Sequence, residues 1–109
     1  MDTRLTSRAR ILRAIRSVPR GKVSTYGAIA KAARLPRAAR LVARVLHTSL
    51  GLPWHRIVGA GGQIKLRGDQ FIEQRLRLHA EGVTFRGSRV RMALHEFQFA
   101  KPRRPTPSS

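Results

Sequence analysis

From Ser7 to Val18 the apolar residues Ile11, Leu12, Ile15 and Val18 recur at helical spacing, while Arg8, Arg10, Arg13 and Arg16 fall mainly on other sides. This pattern predicts an amphipathic helix ended by Pro19. Arg20-Gly21-Lys22 reads as a turn, and Val23-Ser24-Thr25 as a short extended segment whose hydroxyls cap the next helix at its start. A second helix is expected from Tyr26 to Ala33. Leu35-Pro36 interrupts it, and a third helix is expected over about Arg37 to His47 with Leu41, Val42, Val45 and Leu46 facing inward. Two short helices joined by Arg34-Leu35-Pro36 make a helix-turn-helix candidate, its second member placed to enter a groove.

Beyond Gly51-Leu52-Pro53 the pattern changes. Ile57-Val58 and Ile64-Lys65-Leu66 read as short strands flanking the turn Gly59-Ala60-Gly61-Gly62, in the manner of the wing of a winged helix. Asp69 is placed to cap a fourth helix through His79, with Phe71, Ile72 and Leu76 as its core side, Glu73 and Arg77 spaced as a surface pair, and Gly82 as terminator. Val83-Thr84-Phe85 and Val90-Arg91-Met92 alternate around Gly87-Ser88, the signature of a terminal hairpin. The fold class expected is mostly α with short β elements, a winged helix-turn-helix domain over residues 1–99. Residues 100–109 offer nothing apolar beyond Ala100 and are expected to form a disordered, basic, proline-rich tail.

Charge narrows the partner class. The chain has 109 residues, with 23 Lys and Arg against 5 Asp and Glu, a formal net charge of +18. Such a field attracts polyanions, and the predominance of planar guanidinium groups favours phosphate contact and stacking on bases. Nucleic acid is therefore the leading partner. There is no cysteine, which excludes disulfides, zinc-thiolate sites and any cysteine nucleophile. No apolar run is long enough to cross a bilayer and the amino terminus lacks the apolar core of a secretory signal, so a cytoplasmic, nucleoid-associated protein is expected, with no membrane partner. No cofactor and no metal are expected.

The segment Pro53-Trp54-His55-Arg56-Ile57-Val58, taken with Val23-Ser24-Thr25-Tyr26-Gly27 and Ala38-Ala39-Arg40, resembles the DNA-binding domain of O6-alkylguanine-DNA alkyltransferases, whose reactive motif reads Pro-Cys-His-Arg-Val. Trp54 stands at the cysteine position. A tryptophan there is the hallmark of the alkyltransferase-like proteins, and the resemblance covers about Ile11 to Thr84. It implies a non-enzymatic protein that flips O6-alkylguanine out of duplex DNA, holds it without alkyl transfer, and flags it for nucleotide-excision repair proteins, acting as a monomer.

The resemblance also implies roles for individual residues. Trp54, Tyr26 and Arg67 are assigned to the lesion pocket: Trp54 as a flat apolar wall, Tyr26 as the phenol that pushes on the backbone at the target nucleotide, and Arg67 as a guanidinium over the lesion base. Arg40 is the arginine finger that fills the space left by the flipped nucleotide, and Ala38 and Ala39 are small residues that let the third helix approach the minor groove. His55 and Glu81 fall where the transferases place the pair that activates the cysteine. With no thiol to activate they are read as a structural remnant, and Arg56 as a residue that holds the fold or the site loop. One departure is the connection His47-Thr48-Ser49-Leu50-Gly51-Leu52, which is short and lacks the transferases' asparagine. Ser49 is the candidate for part of that hinge.

Two other readings remain open on the residues alone. In one the chain is a generic winged-helix regulator or nucleoid protein with Trp54 in the core. In the other His55 serves as an alkyl acceptor.

Overall fold

The computed structural model describes residues 6–99. The expected tail at 100–109 lies outside the described residues. The chain forms α1 (Ser7–Arg16), β1 (Ser24–Thr25), α2 (Tyr26–Ala32), α3 (Ala39–Thr48), a 3-10 turn at Trp54–Arg56, β2 (Ile57–Val58), a second such turn at Ala60–Gly62, α4 (Asp69–Ala80), β3 (Phe85–Arg86), β4 (Arg89–Val90) and α5 (Met92–His95).

Hydroxyl caps start the first two helices. Thr6 Oγ1 accepts from the Ala9 N–H and Thr25 Oγ1 from the Ala28 N–H, each at 3.0 Å, which satisfies donors that a helix start leaves unpaired. The α2–α3 connection is tight. Arg34 adopts a left-handed φ of 63° and the Leu35 N–H reaches back to the Ala30 carbonyl at 2.8 Å, closing α2 as a left-handed cap does. Arg37 is left-handed as well, at φ 71°. This is why α3 begins at Ala39 rather than at Arg37, since a residue there cannot carry helical φ. Helices α1, α2 and α3 pack around Ile11, Ile15, Val18, Ile29, Val42 and Val45, all at most 2% exposed. The architecture is mostly helical with short strands, of helix-turn-helix type.

The strands pair differently from the expected wing. Ile57-Val58 lies parallel to Ser24-Thr25, with Ser24 opposite Ile57 and Thr25 opposite Val58. Ile64-Lys65-Leu66 is not a strand. Two short apolar runs beside a glycine turn signal extended backbone without naming the partner, and here Val58 is drawn to Val23, Leu78, Val83 and Val90 in a second small core. The turn at 59–63 closes instead through the Gly59 N–H to the Gln63 carbonyl at 2.7 Å. Gly62 has φ 87° and lies so close to the Val90 carbonyl that a β-carbon would not fit. The terminal hairpin is present in a shorter form, β3 antiparallel to β4 with Phe85 opposite Val90, turning at Gly87 with φ 62°.

Helix α4 buries a face other than the one expected. Ile72 and Leu76 are 55% and 63% exposed, while Gln74 and Leu78 are buried and Phe71 is half-buried. The reason is polar. The Gln74 Nε2 donates to the carbonyls of both His55 and Ile57 at 3.0 Å, so the inward stripe runs through an amide that hydrophobic periodicity cannot see. Asp69 also forms no capping hydrogen bond; Gly68, at φ 63°, occupies the cap and Asp69 sits in the first turn, where a carboxylate favours the helix dipole. Gly82, at φ 88°, ends the helix, with the Val83 N–H donating to the Leu78 carbonyl at 3.0 Å.

Candidate nucleic-acid interface

The 3-10 turn Trp54–Arg56 is fixed from below by one carboxylate. Glu81 Oε2 accepts from His55 Nε2 at 2.7 Å and from an Arg56 terminal nitrogen at 2.9 Å, while Oε1 accepts from Arg56 Nε and from the Gly21 N–H, both at 3.0 Å. Arg56 also donates to the Val18 carbonyl at 3.0 Å, tying the turn to the end of the α1 segment. Burial pushes the Glu81 carboxyl up, but the hydrogen bonds from Arg56, Gly21 and His55 outweigh it and hold the group at about 2 against an ordinary 4.5. Glu81 is thus a carboxylate, and His55 Nε2 must be the donor to it. His55 Nδ1 is buried with no partner among the described residues.

Trp54 rises from this turn into an open pocket of about 610 Å³ lined by Tyr26, Ala43, Arg44, Leu46, His47, Trp54, Leu66 and Gln70. Tyr26 arrives at the start of α2, directly after the capping Thr25. Burial pushes its phenol above the ordinary value, so the hydroxyl keeps its proton and can donate. The pocket is bounded by one face of α3 on one side and by the segment leading into α4 on the other. Its walls are aromatic and aliphatic, with guanidinium, imidazole and amide groups among them, a mixture suited to a flat heteroaromatic ring with polar edges.

The structure brings Tyr26 and Trp54 to one cavity and places the other sequence-selected residues around it. Arg67 follows the pocket residue Leu66 and is exposed without lining the cavity. Arg40 is exposed on the first turn of α3, ahead of Ala43 and Arg44. Ala39 opens α3. Ala38 is the cap residue before it, half-buried against the helical core, so its small side chain also serves packing. His55 and Glu81 meet beneath the turn rather than in the pocket lining. Ser49 accepts from Arg8 at 2.6 Å, which ties the short α3–turn connection to α1.

Several contributors escaped the sequence reading. Gln74 and Gly21 lie far along the chain from Trp54, and Gln70, His47 and Arg44, though nearer, belong to no motif that would single them out; tertiary folding brings all five to the site. Arg77 is a partial exception. Its spacing from Glu73 gave the surface pair, seen here at 2.7 Å, but its guanidinium carbon also lies 5.6 Å from the Trp54 ring centroid, which spacing could not reveal.

Residues 6–83 match the family described as 6-O-methylguanine DNA methyltransferase, DNA binding domain. The chain is 45% identical over 82 residues to the DNA base-flipping protein of Escherichia coli (strain K12), a match spanning 72% of this chain and 64% of that protein. It is 43% identical over 75 residues to Alkyltransferase-like protein 1 of Schizosaccharomyces pombe, spanning 64% of this chain and 69% of that one. The chain therefore matches less than two thirds of the length of the bacterial relative. In three dimensions it resembles S. pombe Atl1 in complex with damaged DNA containing O6-carboxymethylguanine, with a TM-score of 0.75 at 28% identity over 84% of this chain and 94% of that one. Mycobacterium tuberculosis OGT in complex with DNA gives a TM-score of 0.62 at 29% identity over 71% of this chain and 50% of that one. With the match running from the cap of α1 to the end of α4, the chain belongs to the 6-O-methylguanine DNA methyltransferase DNA-binding-domain family.

Proposed function

We propose that this protein recognises O6-alkylguanine in duplex DNA by rotating the nucleotide out of the stack and holding it, without removing the alkyl group. The observation that carries this reading is the meeting of Tyr26 and Trp54 in one open pocket beside α3. Extruding a base costs a few kcal/mol, and the pocket offers the indole and leucine surfaces that recover part of it. In this reading Arg40 enters the stack and hydrogen-bonds the orphaned partner base, Arg67 lies over the lesion, and Ala38 and Ala39 let the helix start approach the minor groove.

Alkyl transfer requires a nucleophile with a usable lone pair at the alkyl carbon. The sequence has no cysteine, and the indole of Trp54 has no such lone pair. The imidazole of His55 is held through Nε2 by Glu81, and its Nδ1, the nitrogen that carries the lone pair, is buried beneath the turn and outside the pocket lining. We further propose that the protein works as a monomer in the cytoplasm on nucleoid DNA, and that nucleotide-excision repair proteins receive the marked site.

The test pairs two readouts on a duplex carrying O6-methylguanine. A 2-aminopurine placed directly beside the lesion on the same strand should brighten on binding as the flipped base leaves it without that stacking neighbour. After prolonged incubation the mass of the intact protein should be unchanged and the O6-methylguanine recovered whole. A protein mass increased by one methyl group would make His55 or another side chain an acceptor and defeat the non-enzymatic reading. Binding with no change in 2-aminopurine emission would favour a generic DNA-binding domain.

A further inference from the structure

The backbone under Trp54 is pinned closely. The Trp54 N–H donates to the Leu52 carbonyl at 2.7 Å, the Arg56 N–H to the Pro53 carbonyl at 3.0 Å, and Gln74 holds the carbonyls of His55 and Ile57. These bonds fix the turn but not the direction of the indole. Two groups face the ring itself. The His55 ring stands edge-on to it at 6.1 Å between centroids and 85°, and the Arg77 guanidinium carbon lies 5.6 Å from its centroid, within the range of a cation–π contact.

Arg77 is itself oriented. Its Nε and a terminal nitrogen donate to the Glu73 Oε2 at 2.9 and 2.7 Å, one helical turn earlier on α4. Arg77 is not among the residues that line the pocket, so it meets the indole from outside the cavity that Trp54 walls. We infer that Arg77, aligned by Glu73, is a positioning residue for lesion recognition: it holds the Trp54 indole as a preset wall of the pocket. The inference rests on the proposed role of Trp54 in holding the flipped base. A wall already in its bound orientation spares the ordering cost that a free side chain pays on binding. Both side chains of the Arg77–Glu73 pair are half exposed, at 51% and 50%, so the effect is modest.

Charge and position separate experimentally. Arg77→Met removes the contact and one positive charge. Glu73→Gln leaves Arg77 in place but held only by a neutral acceptor, which weakens its alignment, and makes the protein more positive. If Arg77 acted only as a charge, Glu73→Gln would tighten binding to every duplex alike.

The chain has a single tryptophan, so intrinsic emission reports on the pocket wall alone. The experiment measures emission and acrylamide quenching of the free protein, together with affinity for O6-methylguanine and unmodified duplexes at one fixed salt concentration, for wild type, Arg77→Met, Arg77→Lys and Glu73→Gln. Expected are red-shifted, more readily quenched emission in Arg77→Met and Glu73→Gln, and a lesion-to-plain affinity ratio lowered roughly two- to fivefold in both, the size of a cation–π contact at an exposed site. Arg77→Lys should recover part of each. An unchanged ratio in both variants overturns the inference, as does a lowered ratio with unaltered emission, which would mean that Arg77 touches the DNA directly. If wild type itself shows no lesion preference, the functional reading fails; unchanged emission and quenching would then separately reject the Arg77–Trp54 contact.

Discussion

Replacing Glu81 with Gln should cost this small domain a large part of its stability, and the cost should vanish in acid. Glu81 is 6% exposed in its side chain and Arg56 18%, and the carboxylate also accepts from His55 and the Gly21 N–H. Because the folded carboxyl is held at about 2 rather than 4.5, ionisation favours the native state by roughly 3 kcal/mol at neutral pH. Gln keeps one acceptor oxygen but leaves the Arg56 charge without a counter-ion. Breaking a buried pair from one side costs about 3–5 kcal/mol, and the partial exposure of Arg56 moves the expectation to the lower end. A loss of roughly 3 kcal/mol corresponds to a fall in midpoint temperature on the order of 10–20 °C for a domain of this size. The sign of the pH effect follows from a depressed folded value: the stabilisation is complete above 4.5 and disappears as pH falls towards 2. Thermal melts and urea titrations of wild type and Glu81→Gln across pH 2 to 7 should therefore converge at the acid end. A variant within about 1 kcal/mol of wild type at pH 7, or a gap that persists at pH 2, would mean that the Glu81 charge does not stabilise the fold.

Gln74→Leu should destabilise by about 1–3 kcal/mol in urea unfolding, because the His55 and Ile57 carbonyls lose their shared donor; a neutral result would mean that apolar packing offsets that loss. Gly62→Ala should lower the free energy of unfolding by at least about 1 kcal/mol, since the position has φ 87° and a β-carbon would collide with the Val90 carbonyl. Wild-type stability there would contradict the close approach of the second turn to β4. His95 Nε2 accepts from the Thr84 N–H at 3.0 Å, and burial together with the charges of Lys22 and Arg91 lowers its pKa below 6.5. The contact is therefore intact above 6.5 and lost as pH falls below the folded value, so the hydrogen-exchange protection factor of the Thr84 amide should drop on acidification. A factor that stays constant down to the pH at which the His95 ring itself is seen to protonate by NMR would refute this.

The helices of the amino-terminal half were legible because their evidence is local. Ile11, Ile15 and Val18, or Val42 and Val45, repeat at helical spacing, and Thr25 stands where a cap must. What misled was information that spacing does not hold. Nothing in Ile57-Val58 says that its partner is Ser24-Thr25 rather than Ile64-Leu66; the choice is made by the small valine core and by the close seat of Gly62 against Val90. Left-handed Arg34 closes α2 and left-handed Arg37 delays the start of α3, although arginine is a good helix former. The inward face of α4 was hidden because Gln74 is buried as a hydrogen-bond donor, leaving Ile72 and Leu76 outside. In the candidate site, Trp54 and Tyr26 could be selected from motif resemblance, whereas Gln70 and His47 reach the pocket, and Arg77 the indole from outside it, only through tertiary packing.

The central claim is that the pocket selects an alkylated base rather than DNA in general. It is tested most directly by the ratio of affinities for O6-methylguanine and unmodified duplexes of the same sequence, titrated at one fixed salt concentration for wild type, Tyr26→Ala, Arg40→Ala and Arg67→Ala. Wild type should bind the lesion duplex clearly more tightly. Tyr26→Ala and Arg40→Ala should weaken lesion binding, and Arg67→Ala should lower the ratio itself. Equal affinity of the wild-type protein for the two duplexes would contradict the claim.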